Sequence, residues 1–130
     1  MSTRANIVIL DKDNMVHLYS HHDGYIDGGI GDMLTEFIWN LVPDNNWKDA
    51  NDLAKRLVEG HHPEPNSFKI RYTADIHGDI QFLYIITIET GQLPLLKCYE
   101  KKSDLAWEHG IRGINQYWTK HVLVNNDTNE

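Results

Sequence analysis

Ile80-Gln81-Phe82-Leu83-Tyr84-Ile85-Ile86-Thr87-Ile88-Glu89 is apolar on both faces when read as a strand. Phe82, Tyr84, Ile86 and Ile88 share one side and Leu83 and Ile85 the other, because side chains alternate along an extended chain. Such a segment needs cover on both sides, so the pattern predicts the central strand of a sheet. Upstream, Phe68, Ile70, Tyr72 and Ala74 alternate with Lys69, Arg71, Thr73 and Asp75, which predicts a strand with one buried and one wet face. His77-Gly78-Asp79 is a tight-turn signal between these two strands. Thr90-Gly91-Gln92 turns the chain again before a strand over 95–100, with Pro94 at its start or on an edge. Three consecutive strands with short turns predict an antiparallel meander.

Nearer the N-terminus, 6–10 and 15–21 are short apolar runs separated by Asp11-Lys12-Asp13-Asn14, the pattern of a β-hairpin. In its second strand Val16, Leu18 and Ser20 share one face, and Met15, His17, Tyr19 and His21 the other. Met33, Leu34, Phe37, Ile38 and Leu41 then fall at helical spacing, with Asp32 as candidate N-cap. Pro43-Asp44-Asn45-Asn46 ends that helix and offers caps to a second one. There Trp47, Ala50, Leu53, Ala54, Leu57 and Val58 keep the helical period and Gly60 takes the C′ position. A loop over 61–67 is stiffened by Pro63 and Pro65. In the last third, Ser103 or Asp104 can cap a short helix ending at Gly110. Ile111, Ile114, Tyr117 and Trp118 again fall near helical spacing, and 122–124 stands open between a final strand and the end of that helix. The expected fold class is α+β: a single-layer, mainly antiparallel sheet of about five strands, with two or three helices packed on one face. Residues 1–124 are expected to form a single α+β domain and 125–130 a flexible polar tail.

The chain has 130 residues, 41% of them hydrophobic and 24% charged, which fits one ordinary globular domain. No apolar run approaches the roughly 20 residues of a membrane helix. The first five residues lack a basic region followed by an apolar core, so no signal peptide is expected. Cys98 stands alone, which excludes an internal disulfide, and a cytoplasmic location is the expectation. Net charge is −7, from 19 acidic and 12 basic residues, and works against binding nucleic acid phosphates. The second helix mixes Lys48, Lys55 and Arg56 with Asp49, Asp52 and Glu59, unlike a DNA-reading helix. Lys69, Arg71, Lys97, Lys101 and Lys102 are expected on a solvated sheet face. Trp39, Trp47, Trp107 and Trp118 are core candidates, as is Cys98.

Leu18-Tyr19-Ser20-His21-His22-Asp23-Gly24-Tyr25 collects ionisable residues where a strand gives way to a loop, a common place for functional side chains. Read functionally, His21 is a general base or metal ligand, Asp23 orients it and Tyr25 forms a hydrogen-bonding wall. Read structurally, Asp23-Gly24 is turn chemistry and Tyr25 buries its ring. Gly28, Gly29 and Gly31 precede a helix and can offer backbone amides to a phosphate. Their spacing matches neither the Rossmann nor the P-loop pattern, Asp27 and Asp32 would repel an anion, and tight loop geometry is the better reading. Eight histidines include the pairs His21-His22 and His61-His62, yet no HExxH occurs. His17 and His21 stand about 13 Å apart at strand rise, too far to share an ion. Surface or turn histidines are the better reading; His21, His22 and Asp23 are only weak metal candidates, and no cofactor is expected.

Ser2-Thr3-Arg4-Ala5-Asn6-Ile7, followed by Leu18-Tyr19, His21, Asp23-Gly24-Tyr25 and Gly31, resembles a family of small uncharacterised proteins from bacteriophages, prophages and bacteria. Their pattern is a Ser-Thr-Arg start, a hairpin, then Leu-Tyr-x-His-Trp-Asp-Gly-Tyr and a glycine-containing loop. This chain departs at His22, where the family more often has tryptophan. The resemblance covers about a quarter of the chain and brings no reaction with it. It implies mobile-element ancestry and binding to a host or phage protein.

The leading expectation is a small cytoplasmic interaction or inhibitor-type protein, leaning away from an enzyme. Its surface would include His21, Asp23, Tyr25, Gly28, Gly29 and Gly31. The alternative is a metal-dependent hydrolase or nucleotide-processing enzyme using His21 and Asp23. A third reading is a small-nucleotide-binding module at the glycine loop. The expected partner is a protein rather than a membrane or nucleic acid. A homodimer could form if the 80–89 strand, or a neighbouring edge, paired across a two-fold axis.

Overall fold

A computed structural model describes residues 3–41, 49–59, 69–89, 93–102 and 114–124. The caps expected at 43–46, the loop at 61–67, the turn at 90–92, the helix at 103–110 and the tail at 125–130 lie outside these residues. So do Trp47, Gly60, Phe68 and Trp107. Strands β1 (Ala5–Leu10) and β2 (Met15–Ser20) lead to helices α1 (Ile30–Leu41) and α2 (Ala50–Val58). Then come β3 (Arg71–Tyr72), β4 (Phe82–Thr87), β5 (Leu95–Lys101), the single turn α3 (Ile114–Tyr117) and β6 (Trp118–Val124). The strands form one sheet in the order β3-β2-β1-β4-β5-β6. β1 and β4 run parallel and every other neighbouring pair is antiparallel. The protein is α+β, with a single mixed sheet of six strands.

The sixth strand is β6: residues 122–124, open between helix and strand in the sequence, extend a strand that begins at Trp118. The meander also differs from expectation, being β4-β5-β6. β3 pairs with β2, through Leu18 with Tyr72 and Tyr19 with Arg71. The strand expected over 68–75 is two residues long. At one end Lys69 is left-handed, with φ 53°, and at the other the chain bends at Ala74 and Asp75. From there segment 73–81 must cross to β4, beyond β2 and β1, so it cannot stay extended beside β2. The crossing is pinned by Asn6, which is fully buried. Its side-chain amide donates to the Leu18 carbonyl at 3.1 Å, and its oxygen accepts from the His77 amide at 2.9 Å.

Both long helices lie on one face of the sheet. Ile30, Leu34 and Ile38 of α1 and Leu53, Ala54 and Leu57 of α2 are fully buried there against Ile7, Ile9, Tyr84 and Ile86. Each buried aliphatic side chain of this kind contributes about 1.5–3 kcal/mol. Trp39 falls off the α1 stripe and is 53% exposed, which corrects its assignment to the core; Trp118 is buried. α1 also starts earlier than expected, at Ile30, so Asp32 is a first-turn residue and not the N-cap. α2 is capped by Asp49, whose carboxylate accepts from the Asp52 amide at 2.9 Å. The opposite face carries a smaller cluster of Val8, Tyr19, Leu83 and Trp118, covered in part by Ile80 of segment 73–81. β4 is thus buried from both sides, as its two-faced pattern requires. Because β4 lies between β1 and β5, it has no free edge for pairing with a second copy; the outer strands are β3 and β6. No helix among the described residues is long and apolar enough to cross a membrane.

Candidate functional site

The end of β2 leaves the sheet through an elbow that folds back onto the start of α1. Asp23 is left-handed, with φ 59°, which Asp tolerates better than most residues. Gly24 donates its amide to the Thr3 carbonyl at 2.9 Å and accepts from the Tyr84 hydroxyl at 2.6 Å, tying the elbow to the central strand. Tyr84 is completely buried, and burial drives its phenol pKa far upward, so it stays a donor. Cys98 is a core residue, its thiol pushed up to about 12 by burial.

The glycine loop closes on itself. The amides of Ile30, Gly31 and Asp32 donate to the carbonyls of Asp23, Tyr25 and Ile26 at 2.8, 3.1 and 2.9 Å. The Gly28 amide donates to the Asp32 carboxylate at 2.7 Å, and the Gly29 carbonyl accepts from Met33 at 3.1 Å to open the helix. These are the amides a phosphate would need, and the chain's own oxygens already occupy them. The wrap is tight: a Cβ on Gly31 would sit 2.5 Å from Ile26 Cα.

His21 and Asp23, expected together, have separate partners. Asp23 accepts from the Tyr25 hydroxyl at 3.2 Å, a bond that raises the Tyr25 pKa. His21 meets Tyr19 Oη through Nδ1 at 3.1 Å and Arg4 Nη2 through Nε2 at 3.4 Å. Arg4 in turn pairs with Asp79. Protein atoms that displace water from the His21 ring, then the Arg4 charge, hold its pKa below the ordinary imidazole value. His22 lies edge-on to His21, with ring centres 4.9 Å apart.

Tyr19 is the centre of this second group. Its ring stacks on His77 at 3.9 Å, and the Arg71 guanidinium lies over it at 5.3 Å. Desolvation, then the Asp79 charge, raises the phenol pKa, which keeps the hydroxyl protonated. His77 is held through Nε2 by the Thr73 hydroxyl at 2.9 Å. Strand alternation had placed Tyr19 and His21 on one face, and it put Arg71 on the wet side of its own segment. Nothing local signalled that Arg4, just before β1, would meet His21, or that segment 73–81 would bring His77 and Asp79 to them from far along the chain.

Chemically, the arrangement is a polar network whose members bond mainly to one another, although Arg4 Nε and Asp79 Oδ1 are buried without a hydrogen-bond partner among the described residues. Both nitrogens of His21 are engaged, Asp23 serves Tyr25, and among the described residues no three His, Cys, Asp or Glu side chains converge as a metal site would need. The basic residues do not gather either. Arg71 on β3 and Lys97 on β5 are separated by three strands, about 19 Å at ordinary strand spacing. No family model matches the chain, and no curated protein or solved structure gives a match.

Proposed function

We infer that this chain is a small protein-binding protein with no chemistry of its own, and that the elbow and the sheet edge beside it form the contact surface. One observation carries the reading. His21 bonds to Tyr19 and Arg4 and Asp23 to Tyr25, while Tyr25 on the elbow, 43% exposed, and Tyr72 and Arg71 on the edge strand β3, the former 55% exposed, are open to solvent. Tyrosine and arginine are the residue types that most often anchor protein interfaces. The phage-type resemblance of residues 2–31 supports the same reading and suggests a host or phage protein as partner.

A photoreactive phenylalanine analogue at Tyr25, at Tyr72 and, as a control, at Val122 tests this in cells. Val122 is 47% exposed but lies on the far edge strand, β6. Irradiation is expected to give a discrete adduct from the first two positions and none from the third. A mass of two chains would identify a homodimer. No adduct from Tyr25 or Tyr72, or the same ladder from all three, would contradict the surface. The alternative of a hydrolase using His21 and Asp23 has less support, since the two residues bond to different partners and not to each other.

A further inference from the structure

The position of the proton on His21 follows from its neighbours. A guanidinium has only donors, so with Arg4 Nη2 at 3.4 Å the Nε2 atom must present its lone pair. A neutral imidazole carries one donor and one acceptor, which puts the proton on Nδ1. Nδ1–H then donates to Tyr19 Oη at 3.1 Å. Arg4 is not free to adapt: its side chain pairs with Asp79 and its carbonyl accepts from the Gln81 amide at 2.9 Å. His21 is the exposed partner, with the elbow following it in the chain.

The geometry points to a pH-operated latch: in acid His21 takes a second proton on Nε2, loses Arg4, and swings the start of the elbow off the sheet. Once both ring nitrogens are donors, no lone pair faces the guanidinium and two cations are left in contact. The charged and titratable groups around His21 come from every neighbouring element. Arg4 precedes β1, Tyr19 is on β2, Arg71 on β3 and His22 on the elbow, while His77 and Asp79 lie on segment 73–81. Arg4, Arg71 and His22 oppose a charge on His21, and Asp79 alone favours it. Asp79 is already engaged by Arg4, Tyr19 stays neutral, and His77 is bonded to Thr73. The depressed pKa of His21 agrees with this balance. The moving part includes His22, whose carbonyl accepts from the Ser20 hydroxyl at 2.9 Å, and it reaches Gly24, which is bonded to Thr3 beside Arg4. The latch stands on these contacts whether or not the elbow is a binding surface.

Nitrogen-15 spectra of the imidazoles in the full chain, followed from neutral to acid, test it. The expected result is His21 in the Nδ1–H form at neutral pH, with a titration midpoint below that of an ordinary imidazole. The Gly24 amide resonance should shift with the same midpoint. The Nε2–H form, a midpoint at or above the ordinary value, or a Gly24 amide indifferent to the titration would overturn the latch. Arg4→Met removes the donor and is expected to raise the midpoint; an unchanged midpoint in the folded variant would also overturn it. Should that variant fail to fold, the spectrum of the unaltered chain decides alone.

Discussion

At Gly31 a Cβ would lie 2.5 Å from Ile26 Cα, whereas at Gly28 it would meet nothing within 4 Å. The obstacle at Gly31 is backbone, which cannot rotate away. Gly28 has instead a φ of 75°, which strains an L residue whatever the space around it. Gly31→Ala is therefore expected to lower stability by about 1–3 kcal/mol, the range for forced overpacking. Gly28→Ala is expected to cost less, about 1 kcal/mol. Urea midpoints at constant m-value give both numbers, and the reverse order would contradict the wrapped geometry of the loop. Other residue-scale features were legible only in part. The Asp-Gly turn and the pairing of Tyr19 with His21 follow from turn chemistry and alternation. The Arg4–Asp79 pair does not, because it joins residues 75 positions apart and depends on where segment 73–81 runs.

Between elements, Asp11 ties the hairpin turn to α2. One carboxylate oxygen accepts from the amides of Asp13 and Asn14 at 2.8 and 2.6 Å, closing the hairpin turn. The other accepts from the Ala50 amide at 2.8 Å, so the hairpin helps cap α2. The Ala50 bond first, then the Asn14 side chain, lowers the Asp11 pKa from 3.8 to about 2. A carboxyl whose folded pKa is depressed binds protons more readily when unfolded, so its contribution is full above the unfolded value and disappears as pH falls through the folded one. Asp11→Ala should thus be less stable than the parent at neutral pH, with the difference shrinking between about pH 4 and about pH 2. Thermal melts across that range check it, and a difference independent of pH would mean the carboxylate charge plays no part. At this scale the sequence was legible where local pattern suffices: the hairpin, both helices and the two-faced β4. It misled where alternation alone argued for a long strand at 68–75: Ile70 is buried, but Tyr72 and Ala74 of the same expected face are exposed, and only two residues find a pairing partner. The parallel pairing of β1 with β4 had no local signal at all.

Across the whole molecule, the sheet separates a large helix-covered core from a smaller one, and the elbow is fastened to both. Tyr84 reaches it from the centre of the sheet, while Arg4 and Tyr19 reach it through His21 from the other face. Such cross-tying should make the elbow, at neutral pH, open only when the fold opens, even though it lies at the surface. Amide hydrogen exchange reads this directly at Gly24, Ile30, Gly31 and Asp32. If the elbow is a closed structural network, these amides will be protected at neutral pH to the level of the β4 amides. Fast exchange at these four positions alongside a protected β4 would contradict it, and would leave the glycine-loop amides free for a ligand.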